Sequence, residues 1–310
     1  MTSLLSATAF HRARHFLETQ ARPLEAARFR FHFEGAPADH VLSVLVSYQH
    51  SDGGFGHALE PDFRASTSSI LCTSVAFQIL RTIHASPSLD MVQRAIAYCL
   101  TTLNLNKNHW RIIPRAINAT YPHAPWWSQS AEDDRFEAFS LNPTAEMLGY
   151  LYDYRAQIPS DIIASLSTHV MTHITNLDSI EMHDLLCCMR LRNTQTLPHD
   201  VGDRLHQTLA RLIPETVSID PELWKTYGLR PLQVIDNPES PFQNGLEEAI
   251  AANLDYEIAS QNPDGSWSPS WSWGDRFPEE WAIAHQEWSG ILTLDMLLTL
   301  RRFNKLEGVS

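Results

Sequence analysis

Apolar positions recur along most of the chain with the spacing of an α-helix, and polar positions fill the intervals between them. No strictly alternating run of the kind that marks a β-strand persists for more than a few residues. Proline, glycine and asparagine separate the helical segments. The pattern predicts an all-α fold, with helices at about residues 5–20, 24–33, 37–50, 66–85, 88–103, 142–156, 159–175, 179–192, 198–212, 221–228, 243–261 and 279–303.

The predicted helix at residues 66–85 carries apolar side chains on more than one face. Ile70, Val75, Phe77 and Leu80 lie on different sides of a helical wheel. A helix of this kind packs on two sides, as it would in an inner ring of helices.

The chain has 310 residues, of which 44% are hydrophobic and 19% charged, as in an ordinary globular protein. Its length alone favours two domains, but ring-shaped folds of this size commonly form one. We predict a single domain over residues 1–310. With 36 acidic and 23 basic residues the net charge is −13, and no Lys/Arg-rich run occurs, so nucleic acid is not an expected partner.

No apolar stretch approaches the roughly 18 to 20 residues of a membrane-spanning helix. Thr73, Ser74 and Gln78 interrupt even the segment 70–80. Near the N-terminus, Arg and His directly follow a short apolar patch, which is the wrong order for a secretory signal. We therefore expect a cytosolic protein without a membrane span, while the oligomeric state stays open.

The four cysteines are predicted to be buried free thiols. Cys72, Cys99, Cys187 and Cys188 lie within apolar helical patterns, and no CxxC motif occurs. His183 and Cys187 could share one helical face and bind a metal, but two ligands are too few to favour a metal site over core packing.

Two stretches, residues 49–56 and 261–267, share one pattern. In each, a predicted helix runs into a glutamine, an Asp-Gly pair follows after two residues, and a large aromatic residue follows after one more. The glutamine amide can bind backbone at the helix end, and Asp-Gly supplies a turn with a left-handed glycine. Recurrence of such a turn indicates an internal repeat.

These turns resemble the Q-x-x-x-G-x-W repeats of the prenyltransferase and squalene-oxidase group, which includes squalene-hopene cyclases and the β subunits of protein prenyltransferases. The resemblance implies an α/α toroid, in which about six helical hairpins surround a central cavity. It also implies a terpenoid cyclase-like enzyme, a lyase or isomerase, that cyclises or isomerises an apolar isoprenoid. The residues that carry it are Leu45, Gln49, Asp52, Gly53, Gly54, Phe55, Gln261, Asp264, Gly265 and Trp267, and more loosely residues 288–293.

The chain departs from this group at the residues that start its chemistry. The D-x-D-D motif of the proton-initiated cyclases is absent, and the nearest string, residues 131–134, lacks the first aspartate. The Asp-x-Cys and distant His that bind zinc in protein prenyltransferases have no match in spacing either.

Asp133, Asp134 and Glu137 form a D-D-x-x-E string that resembles the aspartate-rich motif of ionisation-type isoprenoid synthases. In those enzymes carboxylates hold Mg²⁺ against a diphosphate, and oxygen ligands suit this hard cation. The resemblance implies Mg²⁺ as a cofactor held by these three residues. The alternative is a solvated acidic helix start.

The loop of residues 57–64 gathers ionisable side chains just before the helix at 66–85. We expect Glu60 and Asp62 to be catalytic, and His57 and Arg64 to bind substrate. The alternative is helix capping with a local ion pair. A nearby helix N-terminus stabilises a charged carboxylate, which favours metal or hydrogen-bond duty over proton donation.

The long loop of residues 113–130 is rich in proline and aromatic residues. His123 is a further catalytic candidate, and Trp126, Trp127, Trp271 and Trp273 are candidates for substrate binding. Their rings could shield a carbocation or stack on a sugar, or the loop could be a lid packed by its own aromatics. We expect the three loops 60–64, 123–127 and 133–137 to share one pocket.

Two other functions stay open. A non-catalytic toroid could bind a lipid or a peptide in its cavity. A carbohydrate-active α/α toroid would need two carboxylates about 5 to 10 Å apart in a Trp-lined cleft.

Overall fold

The computed structural model describes residues 3–115, 121–130, 134–155 and 158–309. Within these ranges the chain forms twelve α-helices and three 3₁₀ helices, and extended pairing is limited to isolated bridges. The prediction of an all-α fold is confirmed. The α-helices are α1 Ala7–Thr19, α2 Pro23–Glu34, α3 Ala38–Leu45, α4 Ile70–Thr82, α5 Asp90–Thr102, α6 Leu141–Asp153, α7 Ser160–Thr175, α8 Met182–Arg192, α9 His199–Thr216, α10 Pro231–Val234, α11 Glu247–Ala259 and α12 Pro278–Arg302.

Several predicted boundaries differ from the observed ones. The helix predicted at 66–85 begins at Ile70, because the Ser69 hydroxyl accepts the backbone N–H of Cys72 and caps the first turn. The segment predicted as a helix at 221–228 is a 3₁₀ helix, Pro221–Lys225, with Asp220 as its cap. Helix α10 was not predicted, since four residues give too little periodicity to detect.

The chain divides into two compact units. The first unit comprises Met1–Leu45 and Val217–Ser310, and the second comprises Val46–Thr216. This division does not test the single domain expected over residues 1–310, which stays a prediction. None of the helices in the described ranges combines the length and apolar composition needed to cross a membrane.

In the second unit, the turn after α3 is built around Gln49. The Gln49 amide Nε2 donates to the backbone oxygens of Gly53 and Met91, both at 2.9 Å. The Asp52 carboxylate accepts the backbone N–H of Gly54 at 3.0 Å. Met91 lies in the first turn of α5, so the glutamine fastens the turn to the start of that helix.

In the first unit, the turn after α11 repeats this arrangement. The Gln261 amide Nε2 donates to the backbone oxygens of Gly265 at 3.0 Å and Ala9 at 3.1 Å. The Asp264 carboxylate accepts the backbone N–H of Ser266 at 3.0 Å. Ala9 lies in the first turn of α1, so this turn is fastened to α1 as the other is to α5.

The helices that follow the two turns, α4 and α12, are also equivalent to each other. The Thr73 hydroxyl on α4 accepts the backbone N–H of Phe55, and the Thr293 hydroxyl on α12 accepts that of Trp267, both at 3.0 Å. Each helix ends nine residues after its threonine. A residue in the left-handed conformation then follows in each, His84 with φ 53° and Asn304 with φ 54°.

The chain beyond α12 pairs with the segment before α1. Leu5 donates its N–H to the Lys305 oxygen at 2.8 Å and accepts the N–H of Glu307 at 2.9 Å. Helix α12 also packs against α1 and α2, whereas α4 packs against α6. Within the first unit, the helix that follows the Gln261 turn is thus joined to the first helix of the chain.

Helix α6 lies at the centre of the second unit. Every side chain from Pro143 to Tyr152 is buried, and the helix packs against α4, α7 and α8. On α4, Leu71, Val75 and Gln78 form a half-exposed stripe, while the other residues from Ile70 to Leu80 are buried. The buried core therefore surrounds α6, and α4 presents a mixed stripe along one side.

Candidate functional site

Two of the predicted site loops lie side by side in the second unit. Phe63 and His123 form an antiparallel bridge. Arg64 donates its backbone N–H to the Pro122 oxygen at 3.1 Å, and Ala124 donates its N–H to the Asp62 oxygen at 2.8 Å. These backbone bonds align residues 62–64 with residues 122–124.

The acidic residues of the first loop are buried. The side chains of Glu60 and Asp62 are almost fully covered, while Arg64 is half-buried. Upstream of them, His57 and Ala58 have φ values of 53° and 58°. A left-handed conformation costs a residue with a Cβ roughly 1–2 kcal/mol, so two in succession mark a loop held against local strain.

His57 is exposed and stacks on His50, with the ring centroids 4.1 Å apart. Burial lowers the pKa of His50 below its ordinary value, the nearby His57 lowers it further, and Asp52 opposes both effects. The pair therefore favours a neutral His50 ring at the edge of this loop.

The second loop is organised around His123, which is buried. Its Nδ1 contacts the backbone oxygen of Tyr121, and its Nε2 lies 3.0 Å from the Ser128 hydroxyl. Ser128 ends the 3₁₀ helix Pro125–Trp127 and donates its backbone N–H to the Pro125 oxygen. Both ring nitrogens of His123 are thus engaged within this loop.

Aromatic rings connect the three predicted loops. The Trp127 ring lies 6.5 Å from that of Phe63 and 6.0 Å from that of Phe136, measured between centroids. Trp126 is exposed. The described parts of the three loops therefore meet through Trp127, although this contact alone does not make a pocket.

The third loop carries two of the three residues predicted to hold Mg²⁺. Arg115 lies 2.8 Å from Asp134 and 2.9 Å from Glu137, and Arg111 forms a second ion pair with Glu137. Burial raises the pKa of Glu137, but the two arginines prevail and lower it below its ordinary value. Asp133 lies outside the described residues.

The two described members of this donor set, Asp134 and Glu137, are already paired with arginines. The oxygens of Asp134 and Glu137 already face guanidinium groups, which repel a divalent cation. Across the residues that the structure describes, no group of three or more His, Cys, Asp or Glu side chains is placed to hold a metal ion. The Mg²⁺ prediction is left without a supporting contact.

The tryptophans predicted downstream lie in the first unit and form clusters there. Trp271 contacts Trp288 at 5.1 Å and Tyr227 at 5.6 Å, whereas Trp273 is buried and contacts Trp281 at 5.6 Å. Trp267 has a structural role in the Gln261 turn, because its indole Nε1 donates to the Glu257 backbone oxygen.

A polar cluster around the buried Glu146, between α4, α6 and α8, was not among the predicted site residues. The Glu146 carboxylate lies 3.2 Å from Arg190 Nη1 and 3.2 Å from Gln78 Nε2, with the Tyr150 hydroxyl at 3.4 Å. The sequence signal for this cluster is a single glutamate within the largely apolar run 141–152. The helix formed by this run is buried on all its sides, whereas a surface helix is buried on one side only.

The cysteines are free and buried as predicted. Cys187 contacts Asn142 and Arg190, whereas His183 pairs with Glu181 at 2.8 Å. Burial raises the pKa of the Cys187 thiol. His183 and Cys187 therefore have separate partners and are not arranged as a metal pair.

Comparison of the sequence with models of protein families gives no match, and comparison with curated proteins gives no significant match.

Proposed function

We propose that the chain is a terpenoid cyclase-like enzyme with an α/α-toroid fold, which binds an apolar isoprenoid and cyclises or isomerises it in the cytosol. The observation that carries the proposal is the repeated turn. The Gln49 and Gln261 turns share the same amide bonds, the same aspartate contact and the same threonine on the next helix. Such agreement in hydrogen bonds goes beyond the resemblance in sequence.

The order of helices also supports a ring of repeats. One turn leads into α4 and is fastened to α5, and the other leads into α12 and is fastened to α1. The pairing of Leu5 with residues 305–307 joins α12 to α1 across the chain ends. A repeat that continues from the last helix to the first is what a closed toroid requires.

The loop cluster of the second unit supplies groups suited to carbocation chemistry. Glu60 or Asp62 would donate a proton to a double bond or epoxide, because burial disfavours the charged carboxylate and opposes the effect of the nearby helix N-terminus. The aromatic faces of Trp127 and Phe136 would stabilise the cation that forms. Burial of both acids would keep water away from this cation.

Initiation by a carboxylic acid fits the contacts better than initiation by a metal-bound diphosphate. Arg111 and Arg115 occupy the carboxylates of Asp134 and Glu137. Arg64, half-buried beside the acidic loop, would instead bind a polar group of the substrate. The proposal therefore assigns the chemistry to residues 60–64 and not to residues 133–137.

The decisive assay incubates the protein with a neutral polyene, its epoxide, and farnesyl and geranylgeranyl diphosphates, each with and without Mg²⁺. Asp62→Asn and Glu60→Gln are the test variants, and Asp134→Asn is the matched acidic control. We expect turnover of polyene or epoxide without Mg²⁺, a loss of about 100-fold or more in one test variant, and near-normal activity in the control.

Each other outcome rejects a defined part of the proposal. Turnover of a diphosphate that needs Mg²⁺ and is lost in Asp134→Asn would return the chemistry to residues 133–137. Saturable binding of a lipid or peptide without product would favour the non-catalytic toroid. Release of reducing sugar from an oligosaccharide would favour the carbohydrate-active alternative.

A further inference from the structure

The loop of residues 121–128 places a hydroxyl and an imidazole in direct contact. The Ser128 Oγ lies 3.0 Å from His123 Nε2. The other ring nitrogen, Nδ1, contacts the backbone oxygen of Tyr121. A serine, a histidine and a fixed third group in this order form the arrangement that activates a nucleophile.

The Tyr121 contact determines which nitrogen carries the proton in the neutral ring. A backbone carbonyl can only accept a hydrogen bond, so Nδ1 must be the donor. Neutral imidazole has one N–H, which leaves Nε2 as an acceptor. Ser128 must then donate its hydroxyl proton to Nε2, which is the direction that general-base activation needs.

We infer that Ser128 and His123 form a nucleophile–base pair that catalyses acyl transfer from a carboxylic ester with an apolar substituent. The inference rests on the contact between Ser128 and His123 and does not depend on the proposed isoprenoid chemistry. Ser128 was not singled out by the sequence, because the pair becomes visible only when the loop folds back on His123.

The surroundings of the pair fit its role. His123 is buried, whereas Ser128 is half-buried. The bridge between His123 and Phe63 fixes the backbone of His123 against the neighbouring loop. The adjacent rings of Trp127 and Phe136 provide an apolar surface for the substituent.

The reaction balances within this pair, the ester and water. Ser128 Oγ attacks the carbonyl carbon while its proton passes to His123 Nε2, and a new carbon–oxygen bond forms. The tetrahedral intermediate collapses, the ester carbon–oxygen bond breaks, and the proton on Nε2 passes to the departing alcohol. Water then attacks the acyl-serine with His123 as base, which releases the carboxylic acid and restores the Ser128 hydroxyl.

An alkyl fluorophosphonate tests the nucleophile directly, because Ser128 Oγ would displace fluoride and leave a stable phosphonyl ester. The site of modification is read by mass spectrometry of the whole folded chain after digestion. Ser128→Ala is the test variant, and Ser130→Ala is the matched control, since Ser130 is an exposed serine of the same loop. We expect labelling of Ser128 in the wild type and in the control.

His123→Asn tests the base without removing its anchor. The asparagine amide can still donate to the Tyr121 oxygen, but nothing replaces Nε2. We expect the labelling rate to fall about 100-fold or more in this variant. Labelling at the wild-type rate would overturn the assignment of His123, and absence of label on Ser128 in the folded wild type would overturn the pair.

Ser128→Cys offers a second measurement that does not depend on the probe. The four native thiols are buried, so an introduced thiol dominates alkylation by iodoacetamide. With Nε2 as its neighbour, the thiol introduced by Ser128→Cys should react about tenfold faster at neutral pH than the one introduced by Ser130→Cys. Equal rates would contradict the inference, whatever the result of the isoprenoid assay.

Discussion

Gly53 and Arg94 approach so closely that a Cβ on Gly53 would lie 2.3 Å from the backbone oxygen of Arg94. The same occurs at Gly265, where a Cβ would lie 2.3 Å from the carbonyl carbon of Arg12. Both glycines also have positive φ values, 91° and 97°. Each turn therefore requires glycine for two reasons. Its backbone has a positive φ, and the helix packed against it leaves no room for a Cβ.

Replacement of either glycine by alanine should therefore cost more than conformational strain alone. Gly245 is the matched control, because its φ is 83° and a Cβ there would meet nothing within 4 Å. We expect Gly245→Ala to lower the free energy of unfolding by about 1 kcal/mol, and Gly53→Ala and Gly265→Ala by roughly 3 kcal/mol or more. Equal losses in urea denaturation would show that neither turn is packed as described.

Thr73 and Thr293 should be equally sensitive to loss of the hydroxyl. Thr→Val keeps the shape but leaves the buried N–H of Phe55 or Trp267 without its acceptor, which costs roughly 1–3 kcal/mol. Thr168→Val is the control, since its exposed hydroxyl only donates to a carbonyl of its own helix. Thermal unfolding of the three variants tests this. A neutral effect at only one of the two buried threonines would contradict their equivalence.

The repeat could be predicted because it depends on short-range patterns. Gln49 and Gln261 each precede Asp-Gly at the same distance, and helical periodicity locates the helices around them. What could not be predicted is that the Gln261 turn is fastened to Ala9, since that contact spans most of the chain and has no local signal.

The candidate site was predictable in part for the same reason. The ionisable and aromatic residues of loops 60–64 and 123–127 predict a site there, and the structure pairs these loops by backbone hydrogen bonds. The ion pairs of Glu137 were missed, because Arg111 and Arg115 lie more than twenty residues earlier. Glu146 was passed over, since its importance depends on a helix buried on every side.

His50 should make the stability depend on pH in the mildly acidic range. Burial, then the charge of His57, lowers the pKa of His50 below its ordinary value of 6.5. The unfolded chain therefore takes up a proton at a pH where the folded chain does not, and stability falls as pH drops below about 6.5. His50→Asn should reduce this slope in urea titrations between pH 7.5 and 5.

The partner of His50 provides the control for this pH dependence. His57→Asn removes the second cause of the shift but leaves burial in place, and asparagine tolerates the left-handed conformation found there. Its slope should lie between those of the wild type and His50→Asn. His109, whose pKa burial also lowers, should keep some slope in every variant. A wild-type slope in His50→Asn would reject the assignment.

The ion pair of Glu146 and Arg190 should respond asymmetrically to the loss of each partner. The Glu146 side chain is 3% exposed and that of Arg190 is 36% exposed, so only the arginine can regain water when its partner is removed. Arg190→Met leaves a buried carboxylate without its cation and should lower the free energy of unfolding by roughly 3–5 kcal/mol at pH 7. Glu146→Gln keeps an oxygen for Gln78 and should cost about 1–2 kcal/mol.

The double variant should be more stable than Arg190→Met alone, because no buried charge remains. Denaturant titration of the four proteins tests this, and a double variant that loses the sum of the two single effects would show that Glu146 and Arg190 are not coupled.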